Sequence, residues 1–242
     1  MKKKSVEPKK IHPWRLCPIG EHWVKPHQMR VRRSKKHPEG GITTRHGHCA
    51  NNPTKKDQLY PDEINEIADK NFSQLTKKLN SISSIFKNGD RFDSLIIGWT
   101  QYWNEVLEPI DPLNPSLVKA LIASESGFDP LQLANKKNSN SARGLTQITN
   151  NTRKILSDEK GELKNHYLTL TKIELNEPNL NICAGIRWLF QKRKLASKKL
   201  GREIDWIETV ADYKGSLNDY IENNKQGEKI MGPFLRYLKE LK

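Results

Sequence analysis

The sequence predicts a mostly α-helical domain from about residue 60 onward, preceded by a small basic module. Three observations carry this reading. Apolar residues beyond residue 60 recur at helical spacing, and several of those segments begin or end on capping residues. Residues 1–58, by contrast, show no helical or alternating period and are rich in His, Pro, Gly and charge. With 242 residues, 35% hydrophobic and 29% charged, the chain has the means for a core under a heavily charged surface.

The elements follow in order. Residues 1–58 read as loops and short strands. Tyr60-Pro61-Asp62-Glu63-Ile64 starts a helix with acidic residues in its first turn. Ile64, Ile67, Ala68, Phe72, Leu75 and Leu79 continue its period as far as the break at Asn88-Gly89-Asp90. Phe92 to Leu107, with Leu95, Ile96, Trp99 and Trp103, is a second helix stopped near Pro109 and Pro112. Asn114-Pro115 supplies an N-cap and a first-turn proline and launches a helix over Ser116 to Ser126. Further helices are expected at Asn150 to Leu156, Asn179 to Leu200, Ile204 to Tyr213 and Pro233 to Leu241.

Charge is concentrated at one end. Residues 1–58 hold 15 Lys/Arg against 4 Asp/Glu, whereas the other 184 residues hold 27 against 24. Such a block attracts an anionic polymer: nucleic acid, teichoic acid, anionic lipid or peptidoglycan carboxylates. Arg30, Arg32, Arg33, Lys35 and Lys36 suit a nucleic-acid module, and serve equally to hold an anionic wall or to dock on a delivery machine. Trp14 and Trp23 either stack on sugars or bases or pack this module. No stretch reaches the roughly 18 apolar residues of a membrane span. Met1-Lys2-Lys3-Lys4 begins like a signal peptide, but Ser5-Val6-Glu7-Pro8 follows where an apolar core belongs, so synthesis in the cytoplasm without a signal peptide is expected.

Three cysteines fit a reducing compartment better than a disulfide scaffold. Cys183 lies in an apolar helical context and reads as a buried small residue. Six of the seven histidines and two of the three cysteines fall within residues 12–49. Cys17, His22 and His27 form Cys-x4-His-x4-His, and His46, His48 and Cys49 follow. A structural zinc held by Cys17, His22, His27 and Cys49, with His48 or His46 able to replace one, would explain how a segment with so little core folds. A flexible basic tail with solvated histidines is the equal alternative.

On the 115–126 helix, Val118, Leu121 and Ile122 mark the apolar face, and Glu125 follows Leu121 by four residues and Ile122 by three. A glutamate on that stripe is desolvated, which should raise its pKa toward that of a general acid. Taken alone, the position favours a helix-end glutamate with its head in water.

The surrounding residues reverse that preference. Glu125-Ser126-Gly127-Phe128-Asp129-Pro130 is followed by Ser141-Ala142-Arg143-Gly144-Leu145-Thr146-Gln147-Ile148. Then come Asn179 to Leu189 and Ala211-Asp212-Tyr213-Lys214-Gly215. In order and spacing these resemble the Glu-Ser, Gly-Leu-Met-Gln, Asn-…-Gly-…-Leu and Ala-Tyr-Asn-x-Gly motifs of the soluble lytic transglycosylase catalytic domain, over roughly residues 92–220. The resemblance implies a lysozyme-like helical fold over residues 92–242, joined by a helical connector at 59–91 to the basic module at 1–58. It also implies a reaction without a catalytic cofactor. Glu125 would protonate the glycosidic oxygen between MurNAc and GlcNAc of a peptidoglycan strand. As a carboxylate it would then take the proton of the MurNAc C6 hydroxyl closing on C1, leaving a 1,6-anhydro end. One carboxyl suffices, and no second acid competes, since Asp129 reads as a turn or capping residue.

Other roles carry over one by one. Ser126 would orient the acid, Gln147 line the sugar cleft, and Tyr213 steady the developing charge. Asn181 would be structural or substrate-binding. The chain departs from the pattern twice. Thr146 stands for the methionine that touches the sugar, and Tyr213-Lys214-Gly215-Ser216 stands for Tyr-Asn-x-Gly. Lys214 reads as a solvated surface lysine, with pairing to a peptide-stem or muramyl carboxylate as the alternative. Two other functions remain open: a lysozyme-type hydrolase admitting water at the same bond, and an inactive protein that binds wall or nucleic acid. The substrate implies action at the periplasm or cell wall, after delivery by a contact-dependent secretion system, a phage lysis or tail machine, or a conjugation apparatus.

Overall fold

The N-terminal module folds as two small antiparallel sheets in the computed structural model, which describes residues 14–242. The signal-peptide-like start at Met1-Lys2-Lys3-Lys4 lies outside the described residues. Strand β1 (Glu21–Val24) pairs with β4 (His48–Asn51), setting Trp23 opposite Cys49. Between them β2 (His27–Val31) and β3 (Gly41–Arg45) form a hairpin whose residues are almost all exposed. Arg30, Arg32, Arg33, Lys35 and Lys36 all lie on this hairpin or its turn and are exposed. Trp14 and Trp23 pack the module: Trp14 meets Phe72 edge-on at 5.6 Å, and the Trp23 ring lies so close to Gly47 that a Cβ there would collide with it.

The register of β1 and β4 overturns the metal reading. Cys17 and Cys49 are joined in a disulfide, with their Cα atoms 5.6 Å apart. A disulfide sulfur has no thiolate to give to zinc. His22 Nδ1 instead bonds Asn52 Oδ1 at 2.8 Å, and its ring packs on Tyr60. His27 is exposed, its Nδ1 3.1 Å from the Lys25 carbonyl. Among the described residues no three His, Cys, Asp or Glu gather as a metal site. The expected set of Cys17, His22, His27 and Cys49 is therefore replaced by a covalent staple, and the expectation of free thiols at Cys17 and Cys49 falls with it. Cys183 is the buried free thiol that its helical context predicts. Reduction, or Cys17→Ser, is expected to open the segment between Cys17 and Cys49 to limited proteolysis while the helical body stays resistant. Identical digests of oxidised and reduced protein would contradict the staple's role.

Helix α1 (Pro61–Asn71) begins at Pro61 with Asp62 and Glu63 in its first turn, where the helix dipole favours them. The helical period continues to Leu79, but the helix stops at Asn71 and a short 3-10 turn carries the chain to Leu75, which is extended. The reason is tertiary. Phe72 leaves the helix to sit on Gly98 and edge-on to Trp99 at 5.1 Å. Next come α2 (Asp93–Leu107), α3 (Pro115–Ser126) and α4 (Asn150–Ser157). The 23-residue α5 (Pro178–Leu200) runs through the core, and α6 (Trp206–Tyr213) and the short α7 (Leu217–Ile221) follow it. Helix α8 spans Lys225–Glu240, so it starts well before Pro233, which lies inside it. Its cap is Asn224, whose side chain accepts from the amides of Gln226 and Gly227, each at 3.0 Å.

The core gathers Trp99, Tyr102 and Trp103 of α2 against α5. Trp99 donates to Asn179 Oδ1 at 2.6 Å, and Trp103 to the Cys183 carbonyl at 3.1 Å. The N-terminal module is sewn onto this body at three points. Strand β5 (Gln58–Leu59) pairs in parallel with β6 (Tyr167–Leu168). Asp57 accepts from His166 at 2.5 Å, and Arg15 reaches Glu63 of α1.

A buried cation fixes the stretch between α1 and α2. Lys119 of α3 has a fully buried side chain; its ammonium lies 2.7 Å from Asp90, 2.8 Å from Asp93 and 3.0 Å from the Asn80 carbonyl. Burial pushes the Asp90 carboxyl up, but hydrogen bonds from Lys119, Ser81 and the Ile82 amide, with the Lys119 charge, overcome it and hold its pKa down at about 2. A carboxyl depressed in the fold adds stability that is full above its unfolded value and is lost as pH falls through the folded one. Burial moves the neighbouring Asp93 the other way, against the pull of Lys119. Asp90→Asn is accordingly expected to flatten the stability loss of the native protein between pH 4 and pH 2, as followed by thermal melts. An unchanged acid limb would show that Asp90 is not its source.

Candidate active site

Helix α3 delivers Glu125 to the site. Asn114 caps it, its side chain accepting from the Ser116 amide at 2.9 Å, and Leu117, Val118, Leu121 and Ile122 bury its inner face. Gly127, in the left-handed conformation, ends it one turn later. Glu125 thus stands in the last turn, its side chain 17% exposed. Its partner is Lys214, the residue that ends α6: the Lys214 ammonium pairs with Glu125 Oε1 and donates to Ser124 Oγ at 3.2 Å. The Lys214 side chain is only 10% exposed, so the reading of a solvated lysine is corrected. Sequence reasoning missed Ser124 altogether.

The segment over Arg143–Ile148 forms the facing wall, and its backbone is bent by residues of positive φ. Gly144 (φ +75) passes so close to Asn181 and the Leu175 carbonyl that a Cβ would clash with both. Gln147 adopts φ 52, and its Nε2 donates to the carbonyls of Gly144 (2.8 Å) and Gln132 (3.1 Å). Both donor bonds of the Gln147 amide are thus spent on the wall's own backbone. Tyr213 donates its hydroxyl to the Thr146 carbonyl at 2.6 Å, joining α6 to the same wall. Burial, reinforced by the charge of Glu125, raises the Tyr213 pKa far beyond neutrality, so it acts as a neutral donor.

Two expected roles change, and for Asn181 the structural alternative holds. Thr146 is fully buried, its hydroxyl donating to Asn181 Oδ1 at 2.7 Å, and it rests where a Cβ at Gly185 would be. It cannot touch a sugar. Asn181, also fully buried, accepts from Thr146 N at 2.8 Å and donates to the carbonyls of Arg143 (3.1 Å) and Leu175 (2.8 Å). Its role is to hold the wall in shape, which removes it from the substrate-binding set with Thr146. Ser126 does not bond the acid. Its hydroxyl sits within reach of the carbonyls of Leu145 (2.9 Å) and Ile122 (3.2 Å), fastening the end of α3 to the wall.

The site therefore consists of one carboxylate at a helix end, a cation on it, and a polar wall pinned by Asn181, Tyr213 and Ser126. That set can exchange a proton at Glu125 and present hydrogen-bond acceptors along the wall. The transglycosylase SLT domain model matches residues 105–230. The 70 kDa soluble lytic transglycosylase SLT70 from Escherichia coli is similar at 16% identity and a TM-score of 0.33, covering 74% of this chain. The chain spans about 28% of that enzyme's length. None of the curated proteins compared with the sequence matches it. With just over half of the chain inside the family model, including Glu125, Gln147 and Tyr213, this protein belongs to the transglycosylase SLT domain family.

Proposed function

We propose that the protein is a peptidoglycan lytic transglycosylase that cuts the MurNAc–GlcNAc β-1,4 bond without water and leaves 1,6-anhydro-MurNAc ends. The observation that carries this reading is the Glu125 carboxylate at the end of α3, where the matched motifs meet, while the other two acids within those motifs among the described residues are engaged elsewhere. Asp129 accepts from the Leu131 amide at 2.9 Å in its own turn, and Asp212 pairs with Lys192 at 2.8 Å. A glycosidase of the two-carboxylate kind needs a second acid facing the first across roughly 5–9.5 Å of sugar. With one, the substrate supplies its own nucleophile: Glu125 gives its proton to the departing GlcNAc oxygen, and as a carboxylate accepts the proton of the C6 hydroxyl that closes on C1. Tyr213, a neutral donor on the wall, supports the loop that faces the sugar, and the Gln147 carbonyl oxygen is available to a sugar hydroxyl or amide.

The disulfide supports action outside the reducing cytoplasm, since such bonds persist in oxidising compartments. The exposed cations of the β2–β3 hairpin would hold the enzyme to the anionic wall. Mass spectrometry of purified sacculi after digestion tests the reaction. Anhydro-muropeptides are expected; reducing ends alone would make the protein a lysozyme-type hydrolase, and no release at all would favour a wall-binding role.

A further inference from the structure

Lys214 is where the site departs from the motif that the sequence resembles. The motif it interrupts carries a neutral asparagine at that position, whereas here an ammonium rests on the proposed acid. Glu125 Oε1 and Ser124 Oγ hold it, and little of it reaches solvent. A carboxylate engaged by an ammonium has no proton to give. The pair must open before the glycosidic oxygen can be protonated, and opening it leaves a mostly buried cation in need of a new anion.

The substrate offers one at a suitable place. Each MurNAc carries a lactyl group on C3 of the same ring whose C1 meets Glu125. In strands bearing stem peptides that lactyl carboxyl is an amide and neutral. In strands stripped of their peptides it is a free carboxylate. The carboxylates of the stem itself start further along the peptide, beyond a side chain anchored at Glu125.

We propose that Lys214 is a specificity residue that selects glycan strands with free lactyl carboxylates, its ammonium passing from Glu125 to the substrate as the strand enters. The proposal rests on the reading of Glu125 as the acid. Until such a carboxylate arrives, the ion pair slows Glu125 without silencing it.

Two forms of one substrate test it: amidase-stripped glycan strands, and the same strands after carbodiimide coupling of methylamine to the lactyl carboxyls. The full chain is expected to release anhydro ends from the carboxylate strands with a kcat/KM about tenfold higher than from the amidated ones, as expected for one charge pair. Lys214→Met should bring that ratio close to one, and Lys214→Arg should keep most of it. Binding gives a readout independent of turnover. Glu125→Gln releases the ammonium and should bind carboxylate strands more tightly than amidated ones, whereas the Glu125→Gln, Lys214→Met double variant should bind both alike. A wild-type ratio near one, a preference that survives Lys214→Met, or equal binding of both strands by Glu125→Gln overturns the proposal. Absence of anhydro ends from either substrate would instead refute the transglycosylase reading, while the binding comparison would still decide the part played by Lys214.

Discussion

Glu125→Gln is expected to cut the release of anhydro-muropeptides from sacculi by about 10³-fold in kcat/KM, the scale of one general acid–base group. The amide keeps the shape of the side chain and can still accept from a sugar hydroxyl. It has no proton to lend to the glycosidic oxygen and no charge with which to recover one. Its replacement takes the anion from Lys214, but Ser124 Oγ still accepts from that ammonium at 3.2 Å and the pair lies at a helix end with part of the Glu125 side chain in solvent. The fold is expected to survive, shown by an unchanged circular dichroism spectrum and melting temperature. Loss of activity with an intact fold supports the assignment; activity within about tenfold of wild type would remove Glu125 from the chemistry.

The second large effect lies far from the cleft. Arg15 is buried between Glu63, which it meets at 2.9 and 3.0 Å, Asp57, and the Glu21 carbonyl at 2.9 Å. The side chains of Arg15 and Glu63 are both fully buried. Arg15→Met would leave the Glu63 carboxylate without its main partner, at a cost of about 3–5 kcal/mol. In a chain of this size that lowers the melting temperature by ~6–20 °C. Burial pushes the Glu63 carboxyl up while the Arg15 charge and hydrogen bonds pull it down. A carboxyl whose pKa is higher folded than unfolded gives stability that is present below its unfolded value and is lost as pH rises through the folded one. Without Arg15 the upward push of burial is opposed only by the Trp23 amide and by His22, so the variant's deficit should shrink from pH 7 toward pH 4 as Glu63 takes up a proton. Adding Glu63→Leu should restore part of the loss at neutral pH, since a buried pair replaced by apolar groups is close to neutral. A melting temperature equal to wild type would show that the pair contributes nothing.

Helix α3 and its glutamate were legible because their signals are local. Asn114, Pro115 and Gly127 punctuate the helix within a single stretch, and the apolar face sets where Glu125 falls. What the sequence did not disclose depends on contacts between distant segments or on backbone that breaks periodicity. Lys214 meets Glu125 only because the end of α6 packs on the end of α3, 89 residues away. Thr146 turns inward and Gln147 bends back because Gly144 and Gln147 both take positive φ, which cancels any alternation a reader could follow. Cys17 and Cys49, 32 residues apart, have a spacing that serves a metal or a disulfide equally; only the pairing of β1 with β4 chooses. Arg15 and Glu63 look like surface charges until the module folds onto α1. The start of α8 was readable in principle from Asn224, but Pro233 drew the boundary to itself because an interior proline is costly.

Gln58 and Leu59 complete a sheet with Tyr167 and Leu168, so the segment ahead of the matched family region is not a detachable cassette. Recombination at residue 60 or near residue 105 would strip a strand from Tyr167, a completely buried ring, and would separate Asp57 from His166. A lineage that varies its basic arm has a cheaper place to do so. The hairpin between Val24 and His48 projects from the module with its side chains in solvent, and it can be lengthened, recharged or deleted without opening the core. Diversity among such chains should therefore accumulate in the length and charge of that hairpin, with the strands on either side of it held fixed.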